Sequence, residues 1–315
     1  MPPVGPGAIP QLVSNSPQEA YKRTVARLER IQNHLSNTPR SNRLKGKVCI
    51  ITGVGSLKGI GRATALAYAH AGAKHLYLLD FDGENLPNLK KTIESTYPDV
   101  KATVIQGDAA DEETVSSICT RALEEEGHLD IFFANAGIAT RNFLHDVTSK
   151  DWERTMRINS LSVFLAIKYA SKAMLKTNSA AGKDDSGGSI IATASVAGIR
   201  SGAGPMDYSA SKAAVINTVQ TAVYQLARTN IRVNAICPGL IETGMTSTTF
   251  DAARARGTAS KIGQLNPLGR YGIAEEIAQV ALFLGSDEAS YVNGQAIAVD
   301  GGLSASHPVV PGKLA

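Results

Sequence analysis

The feature that most constrains the fold is a repeat in kind: short apolar runs separated by longer stretches of helical character. The runs are VCIITG (48–53), HLYLLD (75–80), ATVIQGD (102–108), LDIFFANAG (129–137), GSIIATAS (188–195), IRVNAICPG (231–239) and GQAIAVDGG (294–302). Most are apolar at successive positions instead of alternating, as strands buried on both faces must be. Helical stretches at 60–71, 111–126, 152–176, 208–228 and 274–284 lie between them. Strand alternating with helix predicts an α/β fold: a doubly wound parallel sheet of about seven strands, with helices on both faces.

Composition limits the alternatives. With 43% hydrophobic and 19% charged residues, the chain carries enough apolar matter for a core. No run approaches 18 apolar residues, so no membrane span is expected. Cys49, Cys119 and Cys237 are an odd, scattered set, which fits neither a disulfide framework nor a metal site. A reducing, cytoplasmic setting is expected. Charge is uneven: residues 1–47 hold eight Lys/Arg against two Asp/Glu, which leaves 24 basic against 26 acidic residues in 48–315. A nucleic-acid binder would carry its basic patch on the core itself, so none is predicted.

Three segments result. Residues 1–45 form an N-terminal extension with one amphipathic helix, 46–303 a single α/β domain, and 304–315 a tail. In the extension, Ser16 is placed as an N-cap, Pro17 at the first helical position and Glu19 as the capping-box partner. Tyr21, Val25, Leu28, Ile31 and Leu35 then share one helical face. That stripe needs a surface to cover it, on its own core or on a neighbouring subunit; a targeting or membrane-surface helix is the alternative.

Strand 48–52 runs into Gly53-Val54-Gly55-Ser56-Leu57-Lys58-Gly59-Ile60-Gly61, and a helix follows. Glycines there let backbone N–H groups approach a pyrophosphate at a helix N-terminus. Gly53, Gly55, Ser56, Gly59 and Ile60 are therefore candidate cofactor contacts. Asp80 ends the next strand, where a carboxylate can accept hydrogen bonds from an adenosine ribose. A 2′-phosphate beside it would place like charges together, so NAD is favoured over NADP. Lys58 and Arg62 are the residues that would reverse that preference.

Tyr208 and Lys212 stand four apart at a helix start, on one face. A nearby ammonium stabilises a phenolate, which suits the tyrosine for general acid–base work. Ser195 ends a strand, where ligands bind in open α/β sheets. Asn159 lies inside a predicted helix, where its polar side chain calls for a partner.

Taken together these residues resemble the single-domain short-chain dehydrogenase/reductases, a Rossmann-like family, over about residues 46–303. The match is carried by Thr52-Gly53…Gly59-Ile60-Gly61, Asp108, Asn135-Ala136-Gly137, Asn159, Ser195, Tyr208, Lys212, Pro238-Gly239 and Thr243. The resemblance implies that Tyr208 exchanges a proton with the substrate oxygen and that Ser195 hydrogen-bonds it. Lys212 would lower the Tyr208 pKa and hold the nicotinamide ribose, and Asn159 would position a relay water. Asp108, with Ala109 beside it, would meet the adenine. Asn135 would stabilise the sheet while Ala136 and Gly137 line the cofactor, Pro238, Gly239 and Ile241 would contact the cofactor, and Thr243 would contact its nicotinamide carboxamide or phosphates. The loop departs from the family in having five residues, Val54–Lys58, where three are usual. Ala134 stands where a further Asn is common.

The resemblance also implies a homo-oligomer, a tetramer or a dimer, and a mobile substrate lid at 240–266. Met245, Thr246, Phe250, Val196, Met206 and Phe143 are candidate lining residues. No clear anion clamp is present: Arg141 and Arg254 could bind a carboxylate, but exposed arginines are usually just solvated, so a neutral or mostly apolar substrate is expected. The predicted activity is hydride transfer between NAD(H) and a small-molecule secondary alcohol or ketone. An NADPH-dependent biosynthetic carbonyl reductase is the alternative, and a non-catalytic nucleotide-binding scaffold is a further one.

Overall fold

A computed structural model of the chain describes residues 17–306. Seven strands form one parallel sheet: β1 (Val48–Thr52), β2 (His75–Asp80), β3 (Lys101–Gln106), β4 (Ile131–Ala134), β5 (Gly188–Thr193), β6 (Ile231–Pro238) and β9 (Ala296–Val299), in the order β3-β2-β1-β4-β5-β6-β9. Every predicted strand is present. Strands β1 and β4 are buried at every position, while β3 is exposed at both ends because it forms one edge. A separate two-residue ladder joins β7 (Ile241–Glu242) to β8 (Gly272–Ile273).

Each central strand feeds two cores. Val48 and Ile50 of β1 pack with Phe132 on one face, beneath α4 (Glu112–Glu126), α6 (Ser162–Met174) and α7 (Met206–Gln225). Cys49 and Ile51 pack with Phe133 on the other, beneath α2 (Ile60–His70), α3 (Leu86–Thr96) and α9 (Ala274–Gly285). This is the period of two expected of a pleated strand covered on both sides. Strand order reverses between β1 and β4, so the loops after these strands diverge and leave a crevice at their carboxyl ends.

The helix expected at 152–176 has a more specific form. It begins as α5 (Ser149–Met156), capped by Thr148 and Asp151, widens into a π turn over Arg157–Leu161, and continues as α6. Helix α7 begins at Met206 and ends at Gln225, ahead of the predicted 228. Helix α3 was absent from the sequence reading, although Leu86, Leu89 and Ile93 give it one buried stripe and a Pro opens it. The short α8 (Ser247–Ala255) also appears, inside the 240–266 segment.

Helix α1 (Pro17–Asn37) matches the predicted extension helix; its proposed cap, Ser16, lies outside the described residues. Leu28 of the stripe docks on this chain, buried with Phe250 and Tyr271. No helix among the described residues is long and apolar enough to cross a membrane.

Candidate active site

The crevice at the switch point is a cleft of about 560 Å³. From the β1 side it is lined by Gly53, Gly55, Ser56, Gly59 and Ile60, and from β2 by Asp80, Asp82 and Asn85. Strands β4 and β5 contribute Asn135, Gly137, Ser195, Tyr208 and Lys212 with their following segments, and β6 contributes Pro238, Gly239, Ile241 and Thr243. Residues scattered over 190 positions in sequence, Gly53 to Thr243, thus meet at the carboxyl ends of the strands.

The glycine loop over 53–61 is fitted closely to the second strand. The Gly55 N–H donates to Asp80 Oδ2 at 2.7 Å, and a Cβ built on Gly55 would stand 2.9 Å from the Asp80 carboxyl carbon. Only glycine allows this approach. The other Asp80 oxygen accepts from the Asp82 N–H at 2.9 Å. Asp82 adds a second carboxylate to this end of the cleft. Among the described residues, Lys212 is the only Lys or Arg in the lining. Lys58 and Arg62 point elsewhere: Lys58 lies 3.5 Å from Glu242, and Arg62 donates to Asn88 Oδ1 at 2.6 Å.

Asn135 ties three strand ends together. Its Nδ2 donates to the Thr52 and Gly53 carbonyls, both at 3.1 Å, and its Oδ1 accepts from Thr193 Oγ1 at 2.9 Å. Thr52 Oγ1 in turn accepts from the Asn135 and Ala136 N–H groups. The turn that follows β4 is therefore fixed before any ligand arrives.

Asn159 is fully buried, and the π turn aims it at that same segment. Its Oδ1 accepts from the Ile138 N–H at 2.8 Å; its Nδ2 donates to the Ile138 carbonyl at 2.9 Å and to Ser211 Oγ at 3.0 Å. Asn159 does not line the cleft itself. A point one Cβ out from Gly137 lies 3.1 Å from Asn159 Oδ1 and 3.3 Å from Lys212 Nζ, so the two flank that turn.

Lys212 is 3% exposed and donates to the Thr193 carbonyl at 2.7 Å. Burial depresses its pKa to about 8, so it still carries a proton at neutral pH. Its Nζ stands 5.7 Å from the Tyr208 ring centroid. Burial raises the Tyr208 pKa, and a hydrogen bond with Ser195 pulls it back. Cys237 is buried near both Ser195 and Lys212, and desolvation pushes its thiol up to about 11.

Two residues expected at the adenine lie off the cleft lining. Asp108 accepts from the Ala110 N–H and pairs with Arg157 at 2.7 Å, while Ala109 packs partly against the core. On the substrate side Met245 and Thr246 line the cleft. Phe250 does not; it is buried under α1. Val196 is buried, whereas Met206 and Phe143 are exposed. Arg141 is bonded to Thr248, and Arg254 pairs with Glu242 and Asp251, so neither is a ready clamp.

The sequence reading missed Asp207. It is fully buried and accepts from Thr140 Oγ1 at 2.7 Å and Thr155 Oγ1 at 2.8 Å. It thereby locks the loop after β4 and helix α5 to the first turn of the Tyr208 helix. A charged residue beside Tyr208 was a visible signal, but its two hydroxyl partners are distant in sequence.

A switch-point cleft with this lining defines the class: an α/β oxidoreductase built around a dinucleotide. A family model described as enoyl-(acyl carrier protein) reductase matches residues 53–304. The 3-oxoacyl-acyl-carrier-protein reductase FabG of Thermotoga maritima is 40% identical over 261 residues, 83% of this chain and 99% of that protein. General stress protein 39 of Bacillus subtilis is 33% identical and matches 92% of this chain and 98% of its own length. The crystal structure of a levodione reductase superposes with a TM-score of 0.75 at 37% identity, covering 84% of this chain and 100% of that one. The chain belongs to the single-domain short-chain dehydrogenase/reductases.

Proposed function

We propose that the protein is an NAD(H)-dependent enzyme that interconverts a secondary alcohol and a ketone, with Tyr208 as general acid and base. The observation that carries this reading is the convergence of Ser195, Tyr208 and buried Lys212 on the cleft that also holds the glycine loop. The donor set fits a dinucleotide: backbone N–H groups of the glycine loop for a pyrophosphate, Asp80 for ribose hydroxyls, Lys212 for the second ribose. When bound, the nicotinamide would supply or accept the hydride.

The chain's own groups handle the proton and the geometry. Ser195 Oγ holds the substrate oxygen against Tyr208. The Tyr208 hydroxyl gives that oxygen a proton in reduction and takes one in oxidation. Protonated Lys212 nearby would favour the phenolate, while the hydrogen bond with Ser195 opposes the burial that raises the Tyr208 pKa. Asn159 and Lys212 flank one point beside Gly137, the arrangement a bridging relay water needs. Asp108 would act on the adenine side from outside the cleft proper, through its turn and Ala109.

NAD is preferred because the expected adenosine end presents Asp80 and Asp82 and, among the described residues, no Lys or Arg in its lining, a poor setting for a 2′-phosphate. The substrate reading is an apolar carbonyl compound or alcohol, since Arg141 and Arg254 are already engaged. The names of the levodione and 3-oxoacyl reductases are consistent with a ketone substrate. We further propose residues 46–303 as the catalytic domain, a homo-oligomeric assembly and a reducing, cytoplasmic setting for its three buried free thiols.

The test is a pair of titrations of the purified full chain with NADH and NADPH, followed by a screen of ketones and secondary alcohols. Tighter NADH binding with turnover supports the proposal. Tighter NADPH binding transfers it to the biosynthetic reductase reading, and nucleotide binding without turnover on any carbonyl favours a scaffold.

A further inference from the structure

Glu242 has no place in the reaction set, yet three elements meet at it. Its side chain, 16% exposed, accepts from Arg254 of α8 at 2.5 Å and faces Lys58 at 3.5 Å. It also faces the Tyr271 hydroxyl. Lys58 belongs to the stretch in which the phosphate loop exceeds the usual family length. Two residues beyond Glu242 the chain lies directly on that loop: a Cβ on Gly244 would stand 2.6 Å from Ser56 Oγ. The first turn of the lid is therefore seated on the phosphate loop.

Helix α1 holds the opposite side. Leu28 is 6% exposed and packs with Phe250 of α8 and with Tyr271, whose rings meet edge to face at 4.8 Å. The Arg254 guanidinium, besides binding Glu242, donates to the Tyr21 hydroxyl of α1 and lies 5.7 Å from the Phe250 centroid. Farther along, Gln32 donates to Glu275 at the start of α9 at 3.0 Å. A nine-residue helix such as α8 has little stability of its own in water and is held by what it packs on. Here it packs on α1.

We propose that the N-terminal helix is an intramolecular brace for the substrate lid, and that Glu242 is the positioning residue that links lid, brace and lengthened phosphate loop. Lid order and cofactor binding are then coupled, and by linkage each strengthens the other. This rests on the reading of the cleft as a nicotinamide site.

Hydrogen exchange of the full chain, with and without saturating NADH, tests both halves. In the wild type, NADH slows exchange across 244–262. Leu28→Ala speeds exchange of 244–262 by about tenfold or more without NADH, while 48–52 and 188–193 stay protected, because the loss is local. Leu28→Met, which conserves volume, stays within about twofold of wild type. Glu242→Gln keeps the Leu28 cluster protected but transmits less than about a third of the NADH-induced protection. Unchanged lid exchange in Leu28→Ala overturns the brace, and undiminished NADH protection in Glu242→Gln overturns the link. If the wild type binds no NADH, it is the nicotinamide reading that fails, and the Leu28→Ala comparison still decides the brace.

Discussion

Lys212 is held in the fold at a cost that should be measurable through its pH dependence. The side chain is 3% exposed and its pKa falls from 10.5 to about 8 by burial. In the unfolded chain it keeps its ordinary value. Between pH 8 and 10.5 the unfolded state therefore binds more protons than the folded state, and stability rises with pH across that window. Below pH 8 the penalty is present in full. The fall from 10.5 to about 8 corresponds to about 3 kcal/mol at pH 7, and the residual at pH 10 is about 1 kcal/mol. Lys212→Met removes the titration. It also removes the hydrogen bond to the Thr193 carbonyl, which costs about 1–3 kcal/mol at any pH. The absolute stability difference at pH 7 therefore partly cancels, but its slope with pH does not. Urea unfolding of both proteins at pH 7, 8, 9 and 10 should show the wild type gaining about 2 kcal/mol on the variant between the ends of the series. Parallel stability curves would refute the claim that Lys212 is stored at a desolvation cost.

Tyr208→Phe should lower turnover by about 10²–10⁴-fold, the usual worth of general acid–base catalysis, with NADH affinity kept; full activity in steady-state assays would remove Tyr208 from its role. Asp80→Ala should move the NAD/NADP affinity ratio towards NADP, because one of two carboxylates at the adenosine end is gone, and an unmoved ratio in paired titrations would contradict the ribose assignment. Asp207→Ala should cost about 2–4 kcal/mol in denaturant unfolding, since two threonine hydroxyls in or near the core lose their acceptor, and a loss under about 0.5 kcal/mol would show the clamp to be inert.

The parallel sheet was legible because burial on both faces removes the polar alternation and leaves continuous apolar runs, as in VCIIT and HLYLLD. Ser195, Tyr208 and Lys212 were legible because strand ends and four-residue helical spacing already fix their direction. The π turn at Asn159 was not, since the partners of that side chain, the Ile138 N–H and carbonyl, lie 21 residues away. Asp207 escaped for the same reason, its partners being set by tertiary packing. Phe250 reads as a pocket residue from its neighbourhood, but α1 covers it, a contact no local pattern announces. Helix α3 had the signal in Leu86, Leu89 and Ile93 and was simply outweighed by its polar intervening residues.

The order of the sheet has a consequence for recombination. Because β3, β2 and β1 lie on one side of the reversal and β4, β5 and β6 on the other, the cleft is divided along the chain as well as in space. The loops that line one half of the cleft come from residues before 110, and those that line the other half come after 130. A single crossover in the short connection between α4 and β4 would exchange one set while leaving the other covalently whole. Asp130, whose carboxylate accepts from the Val48 N–H at 2.8 Å, is the stitch such a chimera would have to keep. The two sets of lining loops are exchangeable in this way only if the contacts of Gly244 and Glu242 with Ser56 and Lys58 of the first set are kept as well.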